Sequence, residues 1–287
     1  MEIVKVEGIV VSDINYSESS KILNVLTKDY GIIGVLSKGC RKVKSKLRSV
    51  STKLTYGNFH LSYKKDGLST LIGVDVLDSF NTIRGDIEKI SYASFLLELT
   101  EQVYKQNENK DIFDLFISAL KKINEGFNPK IITNILELKY LDYLGIGLEL
   151  NGCSICGNSE DIVTISSKYG GYLCKNCYHD QILFSTRAIK VIRMFYYVDI
   201  SKISKLDMHY DTIKEIDDFL DEYYDTYTGL YLKSKQFLKN IAKIWYPKCK
   251  ATLKVVLFYC QIPRGGGIMI IDKIIFGERN GREVYEE

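Results

Sequence analysis

No apolar run in the 287 residues comes near the roughly 20 needed to span a bilayer; the longest lie around Val255 to Cys260 and Ile268 to Ile271. The opening MEIVKVEGIV has no charged start, long apolar stretch or small-residue cleavage site of an export signal. A soluble cytoplasmic protein is therefore expected. Histidine is scarce, and His60, His179 and His209 each lack a recognisable catalytic setting. There is no P-loop, and neither the H-x-E nor the P-C-x-x-C half of the zinc-deaminase signature occurs. The paired acids Asp217-Asp218 and Asp221-Glu222 read as the solvated face of an acidic helix. Together these absences predict a protein that is not an enzyme and takes no small-molecule substrate. There is no internal repeat either.

What is present is enough apolar material, 46% of the chain, for two or three folded units. Over residues 1–80, β-branched and apolar runs alternate with turn signals, predicting strands at Ile3 to Asp13, Lys21 to Thr27, Gly31 to Ser37, Thr52 to Tyr63 and Leu68 to Ser79. Lys28-Asp29-Tyr30-Gly31 and Lys64-Lys65-Asp66-Gly67 read as hairpin turns. Five short antiparallel strands fit a small barrel, the OB-fold best, with an SH3-like barrel as the alternative. From Asp86, placed as an N-cap, the period becomes helical. Further helices are expected over Asp111 to Ile123, from Pro129 to a stop at Gly145, over Ser185 to Tyr197, Asp211 to Tyr227 and Leu232 to Trp245. The expected fold is thus α+β: an OB barrel over 1–80, a helical domain over 81–246 with a zinc ribbon inserted at about 150–180, and an extension of unknown structure over 247–287.

The seven cysteines should not form a disulfide framework in a reducing compartment. Four of them make two C-x-x-C knuckles, Cys153/Cys156 and Cys174/Cys177, separated by the 17 residues typical of a ribbon. Four thiolates complete a tetrahedron with no open position, so one structural Zn2+ per chain is expected. His179 is a poorer ligand candidate and reads as a surface or packing residue. Cys40, Cys249 and Cys260 have no partner at ligand spacing.

Charge is the second signal. The net charge is only +3, yet between Ser37 and Asp66 there is no acid at all, while Lys38, Arg41, Lys42, Lys44, Lys46, Arg48, Lys53, Lys64 and Lys65 all occur. The densest part falls on the connection between the third and fourth strands, where cations can track a phosphate backbone. Tyr56 and Tyr63 on the next strand are candidate stacking rings for bases. The DNA-binding set is therefore Lys38, Arg41, Lys42, Lys44, Lys46, Arg48, Tyr56, Tyr63, Lys64 and Lys65. On these residues alone, another nucleic-acid binder remains open, such as an RNA-binding or transcription-associated protein with a barrel and a ribbon.

A basic barrel, helices, and knuckles within the helical part resemble the bacterial recombination mediator RecO family over residues 1–245. The most specific pieces are Gly8-Ile9-Val10-Val11, the loop Tyr16-Ser17-Glu18-Ser19-Ser20-Lys21, Tyr30-Gly31, and Leu36-Ser37-Lys38-Gly39 leading into the basic run. Leu144-Gly145 before Cys153 and Phe184 to Arg187 after the knuckles also fit. The resemblance implies a non-catalytic, nucleoid-associated repair protein. Such a protein binds single- and double-stranded DNA, anneals complementary strands and helps load recombinase onto strands coated by single-strand-binding protein. Its implied partners are RecR and the acidic, apolar tail of single-strand-binding protein, for which Arg187, Lys190 and Arg193 on the helix after the ribbon are the candidate contacts.

Overall fold

The computed structural model describes residues 2–238 and, beyond them, the backbone of Gln261–Arg264, Gly267–Ile270, Glu278–Arg279 and Arg282–Glu283. Trp245, Pro247, Cys249 and Cys260 lie outside the described residues, as does most of the expected 247–287 extension. Two compact units emerge. One comprises Met1–Glu125 with the chain returning at Leu232, the other begins with Gly126–Tyr231.

In the first unit β1 (Glu2–Tyr16), β2 (Ser20–Thr27), β3 (Gly31–Ser37), β4 (Tyr56–Tyr63) and β5 (Ser69–Asp78) close into a barrel of order β1-β2-β3-β5-β4. This is the OB-fold. Only β3 and β5 run parallel within it, at Val35↔Ser69 and Leu36↔Thr70. Its interior is filled by Val6, Val10, Leu23, Val25, Val35, Phe59, Leu61 and Leu71. β1 outruns expectation at both ends because it serves two neighbours: Glu2 to Ile9 pair with β4, and Gly8 to Tyr16 pair with β2. β4 starts at Tyr56 and not near Thr52, because Leu54 holds a φ of 65°, outside the extended region a strand needs.

Three helices complete this unit, α1 (Asn81–Arg84), α2 (Ile87–Gln106) and α3 (Asp111–Asn124). Asp86 caps α2 as its sequence position requires, accepting from the Glu88 and Lys89 N–H groups. α1 has no such local signal; the Asn124 side chain, on α3, accepts from the Thr82 and Ile83 N–H groups. The returning chain forms a helical segment over 233–238 whose first N–H groups, Lys233 and Ser234, donate to Glu98 of α2 at 3.0 and 2.9 Å.

The second unit packs α4 (Pro129–Tyr143), α5 (Thr186–Tyr197) and α6 (Tyr210–Tyr227) together, with a small sheet, β6 (Glu149–Cys153), β7 (Ile162–Ser166) and β8 (Gly171–Cys174), between α4 and α5 in sequence. Asn128 caps α4 with Pro129 in the first turn. The helix stops where Gly145 donates to Asp142 and Ile146 donates to Leu141, the paired bonds of a Schellman end. One expectation fails on α6. Asp217 is only partly solvated: it accepts from Asn134 at 2.7 Å and pairs with Lys130, both on α4, and burial raises its pKa against their pull. Among the described residues no helix is long and apolar enough to cross a membrane.

Burial pushes the Glu98 carboxyl up, but the Ser234 hydroxyl and the N–H groups of Ser234 and Lys233 outweigh it and hold the group below its usual range. A depressed carboxyl contributes stability above its unfolded value, about 4.3, and loses it as pH falls through the folded value. Glu98→Ala should therefore cost about 1 kcal/mol at neutral pH. In thermal unfolding the gap from wild type should narrow under acid conditions; a gap independent of pH would contradict the capping role.

Candidate metal centre and basic loop

β6 and β8 lie side by side in parallel, Cys153 facing Tyr172 across the ladder, so the cysteines ending the two strands arrive together. Each strand then turns tightly. The Cys153 carbonyl accepts from the Gly157 N–H at 2.8 Å, and the Cys174 carbonyl from the Cys177 and Tyr178 N–H groups at 3.1 and 3.0 Å. Gly152 lets the first knuckle close, since a Cβ there would sit 2.6 Å from the Gly157 oxygen. The sulfurs of Cys153, Cys156, Cys174 and Cys177 all lie within 4.8 Å of one another, Cys156 and Cys174 at 3.6 Å. Four sulfurs at 2.3 Å from one ion would be about 3.8 Å apart, so this donor set fits a tetrahedral ion. His179 is exposed and stands outside the cluster.

The electrostatics support a cation there. Burial works against ionising Cys153, but N–H groups of Cys174, Cys156 and Ile155 prevail and lower its thiol to about 6. Cys177 is pushed the other way, to about 12, first by its hydrogen bond with Cys156 and then by burial. One negative charge is welcome in the cluster and the last is resisted, and a divalent ion removes that resistance.

The basic run occupies the connection from β3 to β4, a chain of turns pinned at both ends. Ser37 and Ser51 share a buried hydroxyl pair at 2.7 Å, and Lys21, paired with Asp13, also donates to the Ser51 carbonyl at 3.2 Å. Cys40 is buried and Leu47 packs against the barrel core. Lys38, Arg41, Lys42, Lys44, Lys46 and Arg48 are all exposed, and none pairs with a carboxylate among the described residues. Arg41 differs from the rest: its guanidinium donates to the Ser17 carbonyl at 3.1 Å and its N–H to Ser19 at 2.9 Å, fastening the loop to the tip of the β1–β2 hairpin. The charge pattern gave that tip no role, because the contact spans 24 residues.

The other candidates separate. Tyr56 is 4% exposed, stacks on Phe80 and donates to Glu7 at 2.5 Å, so its ring has no face for a base. Alternation puts Tyr56 on the outer face of β4 with Asn58 and His60, opposite the core residues Phe59 and Leu61, and there Phe80 covers it. Tyr63 is half-buried against Tyr30, and with Lys64 and Lys65 it sits at the β4–β5 end of the barrel. The β3–β4 loop leaves β3 just beyond Leu36, which pairs with Thr70 near the start of β5, and joins β4 at Tyr56, at the other end of that strand from Tyr63. On α5, Arg187 and Lys190 are exposed. Arg193 is not free for a partner: its guanidinium donates to the Leu150 carbonyl and lies 5.6 Å from the Tyr197 ring.

Because thiolates are the ligand form and the Cys153 thiol is lowered, metal binding should release more protons at pH 5 than at pH 7.5. Calorimetric titration of metal-stripped, reduced protein in buffers of differing ionisation enthalpy measures this; a release that does not change with pH would contradict the assignment.

Residues 1–80 match the family model described as Recombination protein O N terminal, and residues 84–236 match Recombination protein O C terminal. The DNA repair protein RecO of Bacillus pumilus is 36% identical over 243 residues, covering 83% of this chain and 94% of that protein. The protein of the same name from Bacillus subtilis is 35% identical over 241 residues, at 83% and 94%. That of Listeria monocytogenes serotype 4b is 33% identical over 243, at 83% and 95%. With both family models matched in order along the barrel, the helices and the cysteine cluster, the chain belongs to the recombination protein O (RecO) family.

Proposed function

We propose that this protein is a non-catalytic DNA-binding protein of DNA repair, which anneals complementary strands and helps load recombinase onto strands coated by single-strand-binding protein. The observation that carries this reading is the acid-free loop, folded onto an OB barrel with its cations outward. Lys38, Lys42, Lys44, Lys46 and Arg48 bind phosphates and release counterions, which makes affinity salt-sensitive and blind to sequence. Annealing follows from the same chemistry. Cations that neutralise two backbones remove the repulsion between strands and leave the base edges free to pair. Lys64 and Lys65, on the β4–β5 hairpin, extend the path.

The histidines support the absence of catalysis, being engaged elsewhere or alone: His60 pairs with Asp75 on the barrel exterior, His209 caps α6, and His179 is exposed. The four cysteines hold one structural Zn2+, which stabilises the ribbon and leaves no open position for chemistry. RecR and the acidic tail of single-strand-binding protein are the proposed partners, with Arg187 and Lys190 as candidate contacts for the tail.

Lys42, Lys44 and Lys46 changed together to Ala should flatten the log-log salt dependence of single-strand binding by roughly 2, at about 0.7 for each phosphate left without its cation. Random sequences should weaken equally. The reading fails if the folded triple variant keeps both affinity and slope. Metal analysis of protein purified without added metal should return one zinc per chain, and replacing Cys156 by Ser should lower that content and destabilise the ribbon unit while single-strand affinity stays at the wild-type level.

A further inference from the structure

The inner face of the β1–β2–β3 sheet carries the core residues Leu23, Val25 and Val35. On its outer face, register places Ile14 beside Ile22 and Ile22 beside Leu36, an aliphatic row across three strands. The preceding row on that face is polar and lies under α2, where Asn24 donates to Ser12 at 2.9 Å and reaches Glu101 at 3.4 Å. The aliphatic row lies beyond that cover, with Ile14 63% exposed. Tyr16, two residues further along the same face, is 50% exposed, and its hydroxyl has no partner among the described residues. Single apolar residues on a surface need no explanation, but adjoining ones beside a charged rim mark a binding surface.

The rim is the basic loop itself. Arg41 binds the Ser17 and Ser19 carbonyls, and the Gly39 N–H donates to the Ser20 hydroxyl at 3.1 Å, so the loop and the hairpin tip are held against each other. Tyr16 is therefore one residue from the point where the cations are anchored. An exposed ring fixed beside unpaired cations has the two components that a single-stranded nucleic acid requires: a π-face for the base and positive charge for the phosphates flanking it.

We propose that Tyr16, backed by the Ile14–Ile22–Leu36 row, is the base-stacking platform for single-stranded DNA. The inference rests on the phosphate-binding role given above to the loop and adds the element that distinguishes single strands from duplex, whose bases are already stacked. Stacking on one face leaves the pairing edge of the base exposed, so the platform is compatible with annealing. Glu18 is exposed at the tip and is the lone acid of the Tyr16–Ser20 turn, so the cations of the adjoining loop stay in excess.

The test compares full-length wild type and Tyr16→Ala on an oligothymidylate and on an abasic backbone of equal length, with thermal unfolding as the check on folding. Wild type should prefer the oligothymidylate. Tyr16→Ala should lose roughly 5- to 150-fold on the oligothymidylate, the value of one stacked base, with its abasic affinity and salt slope unchanged. Tyr16→Phe should restore the preference. If Tyr16→Ala keeps the wild-type preference for bases, the inference is overturned while the loop reading stands; the strip would then serve another occupant, such as an acidic peptide. If wild type binds neither oligonucleotide, the loop reading and the inference fall together.

Discussion

The first unit depends on one strand being shared by two neighbours. β1 pairs with β4 through its first half and with β2 through its second, and both ladders overlap at Gly8 and Ile9. At the overlap the backbones come so close that a Cβ on Gly8 would meet a Val25 methyl at 2.9 Å and the Leu26 carbonyl at 3.0 Å. A register shift between Val10 and Ser12 then re-aims the strand. This overlap abolishes the free sheet edges that would otherwise invite pairing with another chain. It also carries the second half of β1 out as the arm of a hairpin, whose tip anchors Arg41. The cations stand in a fixed place because the barrel is closed.

The two candidate sites solve opposite charge problems. In the cysteine cluster, strands deliver four ionisable sulfurs to one point, a donor set that suits a cation. In the loop, turns spread like charges along the surface, and Leu47 and Cys40 turn inward to hold the chain while the lysines stay solvated. The first arrangement gathers its donors at one point, the second spreads its charge along a solvated face.

Much of this was legible in the sequence, and the legible parts share a cause. Asp86, Pro129, the two hairpin turns and the knuckles are each decided within a few residues, so local chemistry specifies them. What escaped was decided at a distance. α1 is capped by an asparagine 42 residues on, and Asp217 is drawn inward by a lysine and an asparagine on another helix. Arg193 is claimed by a strand carbonyl 43 residues back, and Tyr56 by a ring and a carboxylate. Charge pattern located the basic loop; it could not say that the loop leans on a hairpin tip.

The bond from Glu98 to the helical segment at 233–238 has a consequence for biosynthesis. The partners are 136 residues apart, and the barrel unit is made of chain synthesised before the ribbon together with chain synthesised after it. At about 5–20 residues per second, roughly 7 to 27 seconds pass between synthesis of the carboxylate and synthesis of its partner. During that interval the nascent barrel must persist with this part of α2 uncovered, so a ribosome stalled within the ribbon would display an OB-fold that is closed but not yet sealed.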